Sequence, residues 1–503
     1  MFLLIASCPA VMATYGNSNS TAQANSLGKI KHIVVLMLEN RSFDNLLGKL
    51  YPKSDQFDGL SGEEENVFVN EGISRGIKVW NTLDGQGEST IIPSPNPAEL
   101  FSDINEQLFG ENPPPTNTTP TMSGFVQNYF RAVQPELPDP IMHYYVPEQV
   151  PILSELAKNY AVCDAWFASA PCQTWPNRFF LHTATAGGYE NNSPYHFPYE
   201  MPTIFTRFNE LGRENGWKIY YHDFPQSAVL SDLWAYHDQM QEYSQFKADA
   251  ASGSLPSYSF IEPRYYAELD FPNDQHPPHD IRFGEELIAD VYNTLQSSPT
   301  WTSTLLIIIY DEHGGCYDHV APPKAIPPEA PKSNQVFLFD RYGVRIPAVV
   351  ISPYIQAGTV FRALPGSQPF DHTSVISTIR RCFDLGEPFT ERDRNAPDIS
   401  SLLTLPDDQL NLGKPLVLPA VDRVPEELAE LKASELSDLQ KSLHTIAVHL
   451  PNWEKADEGI WKEAVKELTQ LIDEVLPDEL GTCAETSSYV QDKLKAFLAP
   501  VKK

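Results

Sequence analysis

No stretch of the 503-residue chain reaches the ~20 consecutive apolar residues of a membrane-spanning helix. Basic residues are scarce: 36 Lys and Arg stand against 66 Asp and Glu, for a formal net charge of -30. Such a surface repels phosphate backbones, which argues against nucleic acid as a partner, and it disfavours tight docking on anionic membranes. A neutral or zwitterionic substrate remains open, as does a small anion drawn to a local cation. The six cysteines have no CxxC spacing, which argues against a zinc ribbon. No internal repeat is present, so a solenoid is not expected.

With 42% hydrophobic residues the chain has ample material for a large core and more than one folding unit. Its 44 prolines and 26 glycines predict many turns and long loops. The N-terminus, MFLLIASCPAVMATYG, resembles a short signal peptide cleaved near Ala13, although it has no positive n-region. Export to a periplasm or the outside is the expectation, with a cytoplasmic protein and a different start as the alternative. A lipoprotein site at Cys8 is a further reading. Residues 1–27 are taken as signal and linker, 28–405 as an α/β domain, and 420–503 as a helical C-terminal region.

HIVVLML, residues 32–38, reads as a strand buried on both faces of a parallel sheet. STLLIIIY and RIPAVVISPYI read the same way. Strands and helices alternate from about 29 to 390, the pattern of an α/β fold with a mostly parallel central sheet flanked by helices. Residues 51–125 show little periodicity and read as irregular pocket wall. After about 405 the texture becomes amphipathic and helical, including GIWKEAVKELTQLIDEVL.

Two apolar runs end in acid. VVLML delivers Glu39 and Asn40, and LLIIIY delivers Asp311 and Glu312. Ligand sites in parallel α/β sheets lie beyond the carboxyl ends of the strands. Three carboxylates meeting there repel one another unless a cation sits between them. Glu39, Asn40, Asp311 and Glu312 are therefore predicted metal ligands; the alternative is that each pair caps the following helix. In CQTWPNR, Thr174 precedes Trp175 and Pro176 and so sits at a helix start, where unpaired N–H groups favour phosphate. Thr174 is read either as an ordinary N-cap or as a nucleophile activated by the same metal. His222, His276, His279, His313 and His319 fall at strand ends or in loops, where a histidine can orient phosphate or protonate a leaving alcohol. His372 reads as structural.

HIVVLMLENRSFDNLLG, TWPNR, HPPHD and IIIYDEHGGCYDHV together resemble the phosphoesterase family of bacterial and plant non-specific phospholipases C and related acid phosphatases. The resemblance runs from about residue 29 to 390. It implies an alkaline-phosphatase-like core and one divalent metal (Ca, Zn, Mg, Mn or Fe). It implies ligands at Glu39, Asn40, Asp311 and Glu312, with Thr174 as both nucleophile and ligand. It implies that His279 and His222 contact phosphate or the leaving group. Cys172 and Cys316 beside these motifs depart from the family pattern, and two states are open for them, a disulfide or two thiols. The expected activity is hydrolysis of phosphate diesters of the phospholipase C type through a phospho-threonine. The alternatives are an acid phosphatase using the same site and an inactive binding protein on this scaffold. Transient contact with a membrane surface is compatible with the first.

Overall fold

The computed structural model describes residues 11–12, 26–83, 90–112, 118–268, 270–330, 337–450 and 482–498. All of the proposed leader except Val11 and Met12, most of the linker and the predicted helix GIWKEAVKELTQLIDEVL lie outside the described residues. So does part of the proline-rich loop after residue 110.

A nine-stranded sheet organises the chain, in the order β1-β11-β5-β10-β9-β2-β8-β6-β7. Its strands are β1 (Val11–Met12), β2 (His32–Leu38), β5 (Ala161–Cys163), β6 (Trp217–Tyr221), β7 (Met240–Glu242), β8 (Tyr258–Glu262), β9 (Thr304–Tyr310), β10 (Ala348–Ile351) and β11 (Thr359–Phe361). β2 and β9 are wholly apolar in their interior and buried on both faces, because helices cover the two sides of the sheet. All pairings are parallel except those of β10, which runs antiparallel to both β5 and β9. RIPAVVISPYI is thus the strand whose start, not its end, lies at the same edge as the tips of β2 and β9.

β2 pairs with β9 in the register Leu38↔Tyr310 and with β8 in the register Leu36↔Ile261. The residues that follow β2 and β9 therefore emerge side by side at one level. Asp311 N donates to Leu38 O at 3.1 Å, and Arg41 N to Glu312 O at 3.1 Å, extending the pairing past the strands.

Residues 51–125 are less irregular than their sequence suggests. They contain an antiparallel hairpin, β3 (Glu65–Asn70) with β4 (Ile73–Lys78), and the helix Phe101–Phe109. With the helix Phe125–Val133 they enclose a second apolar cluster that includes Phe68, Ile104, Leu108, Phe125 and Tyr129. This unit covers the loop after β9: Gln107 Oε1 lies 2.8 Å from His313 Nε2, and Tyr317 N donates to Ile141 O. Among the described residues three C-terminal helices, Pro425–Ala433, Asp438–His449 and Cys483–Leu498, pack beside the same edge. Tyr266 OH donates to Gln440 O at 3.0 Å, and Phe497 meets Trp234 edge-on.

Candidate active site

The tip of β2 turns sharply because Asn40 adopts φ 56, a left-handed conformation that Asn tolerates better than most residues. Its N–H then points at Asp311 Oδ1, 2.8 Å away, and the same oxygen accepts Glu312 N at 2.7 Å. The Glu39 and Asp311 carboxyls are in side-chain contact. The two motif loops are thus joined by polar groups wholly removed from water: Glu39, Asn40, Asp311 and Glu312 are all 0% exposed.

The glycines of DEHGG allow this approach. Gly314 lies at φ +60, and a Cβ there would come within 2.2 Å of Asn40 O; one on Gly315 would press on Pro97. Glu39 N donates to Asp274 O at 2.9 Å, so the loop carrying HPPHD is stitched to the same strand tip. Arg41 extends the stitch, giving Nε to Gln275 O at 2.7 Å.

Thr174 is the first residue of the helix Thr174–Thr183, and Gln173 is its N-cap. Thr174 is therefore not an ordinary capping threonine. Its Oγ1 is buried and has no hydrogen-bond partner. The expected row of free N–H groups is reduced here: Trp175 N donates to Asn192 Oδ1 at 2.7 Å, and Pro176 has no N–H. One turn along the same face, Arg178 reaches Glu39 at 2.5 Å and Glu262, at the tip of β8, at 3.5 Å. Gln226 Nε2 adds a second donor to Glu39 Oε1 at 2.7 Å. Arg178 thereby ties the helix that begins at Thr174 to the tips of β2 and β8.

Compensation stops halfway. Glu39 Oε2, Asn40 Oδ1 and Asp311 Oδ2 are buried without hydrogen-bond partners, and Glu312 meets no cationic Lys or Arg, only His313 Nδ1 at 3.1 Å and the main-chain N–H groups of His313 and Gly314. A fourth acid joins them. Glu99, in the loop before the helix Phe101–Phe109, accepts from Asn40 Nδ2 and contacts Glu312. Burial, reinforced by neighbouring acids, raises the Glu39 carboxyl well above its ordinary range. Burial likewise lifts Asp311 to about 6 and Glu312 to about 8.

The histidines divide. His279 Nδ1 binds Asp274 Oδ1 at 2.7 Å, and that same oxygen accepts His276 N. His279 lines a cavity together with Asn96, Pro97 and Ala98, the residues leading to Glu99. His222, predicted as its partner, belongs elsewhere. It follows β6, two strands from β2, stacks on Tyr243 at 4.1 Å, and faces a separate cavity with Lys247, Arg264 and Arg423. Burial pushes it down to about 4, so it is neutral at ordinary pH. His222 is thus not grouped with His279, because a strand's sequence does not reveal its neighbours in the sheet. His276 Nδ1 is taken by Pro277 O, and His372 holds Asp311 O through Nε2. Cys172 and Cys316 are buried thiols that are not joined in a disulfide, and Cys316 Sγ lies 4.0 Å from Asn40 O.

His319 sits in a different acidic group. Asp44, Asp318 and His319 present atoms within 4.8 Å of one another, close enough for a metal. The Arg345 guanidinium already occupies the space between the two aspartates, 2.9 Å from each. That group is an ion-pair network tying ENRSFD to DEHGGCYDHV.

Sequence reasoning missed Glu99, Arg178, Gln226 and Glu262. Only Arg178 carried a signal, the Arg four residues after Thr174 in TWPNR.

The model of the phosphoesterase family matches residues 30–386. Non-specific phospholipase C1 of Arabidopsis thaliana is 35% identical over 95% of this chain and 88% of its own length. Non-specific phospholipase C5 of the same plant is 36% identical over 94% and 90%. The non-hemolytic phospholipase C of Pseudomonas aeruginosa is 25% identical over 83% of this chain and 66% of its own. A solved alkaline-phosphatase-superfamily protein from Vibrio parahaemolyticus aligns with a TM-score of 0.32 at 12% identity, over 76% of this chain and 80% of that one. With its four motifs gathered at one end of a mostly parallel sheet and this match across most of its length, the chain belongs to the phosphoesterase family.

Proposed function

We propose that the protein is a metal-dependent phosphodiesterase of the phospholipase C type, with Thr174 as nucleophile and a phospho-threonine intermediate. The observation that carries this reading is the set of buried oxygens left without hydrogen-bond partners on Glu39, Asn40, Asp311 and Thr174, beside a Glu312 carboxyl with no Lys or Arg to neutralise it. Buried carboxylates are stable when a cation or donor meets them. Arg178 and Gln226 satisfy one oxygen of Glu39; the rest form an oxygen-rich donor set that suits a divalent cation. Bound there, such an ion would polarise a phosphoryl oxygen and favour the ionised threonine hydroxyl.

The residues of the chain supply the rest. Thr174 Oγ1 releases its proton to water and attacks phosphorus in line; the new O–P bond forms as the ester O–P bond opposite it breaks. His279, oriented by Asp274, passes a proton from its Nε2 to the departing alkoxide. The neutral imidazole then takes a proton from water, whose oxygen attacks phosphorus. The Thr174–phosphorus bond breaks, and the threonine oxygen takes back a proton from water while His279 keeps the one it received, which restores the starting state of both. Arg178 keeps one Glu39 oxygen occupied, leaving the other for the ion.

The similarity to named phospholipases C favours a phospholipid diester over a simple monoester as substrate. The deciding experiment follows hydrolysis of phosphatidylcholine, p-nitrophenyl phosphorylcholine and p-nitrophenyl phosphate, with and without chelator. Chelator-sensitive release of phosphocholine by the native chain and none by Thr174→Ala is the expected result. Steady turnover by Thr174→Ala would refute the nucleophile, and cleavage of the monoester alone would refute the diesterase reading.

A further inference from the structure

We propose that the cavity beyond the tip of β6, the one that His222 faces, is a binding site for a small, uncharged polyhydroxylated ring, a sugar or a cyclitol. The proposal stands apart from the phosphoester chemistry above, because none of the acidic cluster lines this cavity. Its volume is about 450 Å³, in the lower half of the range of roughly 300–1,000 Å³ in which organic ligands are held.

The charges of its wall decide what kind of ligand fits. Basic residues are scarce in this chain, yet Lys247, Arg264 and Arg423 all line this one cavity. Asp270, Glu286 and Asp290 line it with them. Every cation already has an acid. Arg423 Nε lies 2.9 Å from Asp270 Oδ1, and its Nη2 lies 2.7 Å from Glu286 Oε2. Lys247 Nζ lies 2.7 Å from Asp290 Oδ2, and Arg264 Nη1 lies 3.4 Å from Asp270 Oδ2. His222 is neutral, so the described lining balances with no charge of either sign left over. An anion would meet three carboxylates and a cation would meet three cations; either would have to break a formed pair.

A neutral ligand meets no such penalty, and the wall offers it both kinds of polar partner. A hydroxyl donates once and accepts twice. Arg264 spends Nη1 on Phe271 O at 2.9 Å and on Asp270, which leaves Nε and Nη2 as donors among the described residues. Asp290 collects Lys247 and the Tyr243 hydroxyl on one oxygen, Oδ2, and keeps Oδ1 as an acceptor. His222 Nδ1 donates to Glu262 O at 2.9 Å, so the neutral ring presents Nε2 as a second acceptor. Leu287 and Leu418 add apolar surface for ring carbons. These groups are held before any ligand arrives: Tyr243 stacks on His222 at 4.1 Å, and Arg423 lies over Phe283 at 5.3 Å. The wall also reaches the active site. Arg264 N donates to Asn273 Oδ1 at 2.6 Å, and the next residue, Asp274, holds His279.

The test is calorimetry and saturation-transfer NMR on the full chain with myo-inositol, D-glucose, glycerol 3-phosphate and choline. The expected result is saturable binding of myo-inositol or glucose with Kd of about 1 mM or tighter, and binding of the two charged probes weaker by about tenfold or more. Leu418→Trp and Lys247→Trp each place a large side chain at an exposed position on the cavity wall and should weaken the polyol by about tenfold or more. Glu435→Trp, in the cavity beside His279, should leave its affinity unchanged. No saturable binding of either polyol by about 10 mM overturns the proposal. So does tighter binding of glycerol 3-phosphate or choline, and so does full polyol affinity in a Leu418→Trp or Lys247→Trp chain that melts like the native one.

Discussion

Two acidic clusters lie at the same edge of the sheet, built from the same two motif loops, and they are finished differently. In one, Asp44 and Asp318 share the Arg345 guanidinium, and His319 adds a contact to Asp44 at 2.6 Å. In the other, Glu39, Asp311, Glu312 and Glu99 crowd together, and Arg178 reaches only Glu39 among them. Both are buried. Folding alone accounts for the first, since its charges cancel within the chain. The second stores unmet charge, which a protein tolerates where a ligand from outside completes it.

The comparison breaks first on activity. Thr174→Ala should lower turnover by roughly 10⁴-fold or more with the melting temperature unchanged, measured on p-nitrophenyl phosphorylcholine. Asp311→Asn should cost about 10²–10³-fold in kcat, yet calorimetry of the metal-free variant should show equal or higher stability, because a buried uncompensated charge is gone. Arg345→Met should do the opposite. It strands Asp44 and Asp318 and should cost about 3–5 kcal/mol in denaturant unfolding.

pH sharpens the contrast further. Asp311 is held up near about 6 and Glu312 near about 8 by burial. A carboxyl raised in the fold contributes stability below its unfolded pKa of about 4, and that contribution is lost as pH climbs through the folded value. A divalent cation favours the ionised forms and removes the loss. The gap in melting temperature between metal-loaded and chelated protein should therefore widen from about pH 5 to pH 8. A gap independent of pH would remove these carboxylates from the ligand set. A last effect is steric: Gly314→Ala, at φ +60 with its Cβ driven onto Asn40 O, should lower stability by about 1–3 kcal/mol in denaturant unfolding.

Much of this edge was legible beforehand. The apolar runs ending at Leu38 and Tyr310 identified two buried parallel strands, and the acids after them marked where the two motif loops meet. The hairpin Glu65–Lys78 was hidden because its outward face is mixed in polarity: Val67 and Val69 are about half exposed beside charged neighbours. The direction of β10 was hidden because an apolar run looks the same read either way. His222 misled because the tip of β6 resembles the tip of β2 in sequence, while two strand spacings separate them. Glu99 had no signal, since a single acid in a proline-rich loop resembles any surface residue.

By itself the sequence determined the class of fold and the chemical types at the strand tips, since apolar periodicity and the change from apolar to acidic are local properties. Tertiary structure alone decided which acids were neutralised. Whether Asp44 meets Arg345 and Glu312 meets Glu99 depends on sheet order and on loops that close over it across hundreds of residues. Charge compensation is a matter of distance in space, and no spacing along the chain encodes it.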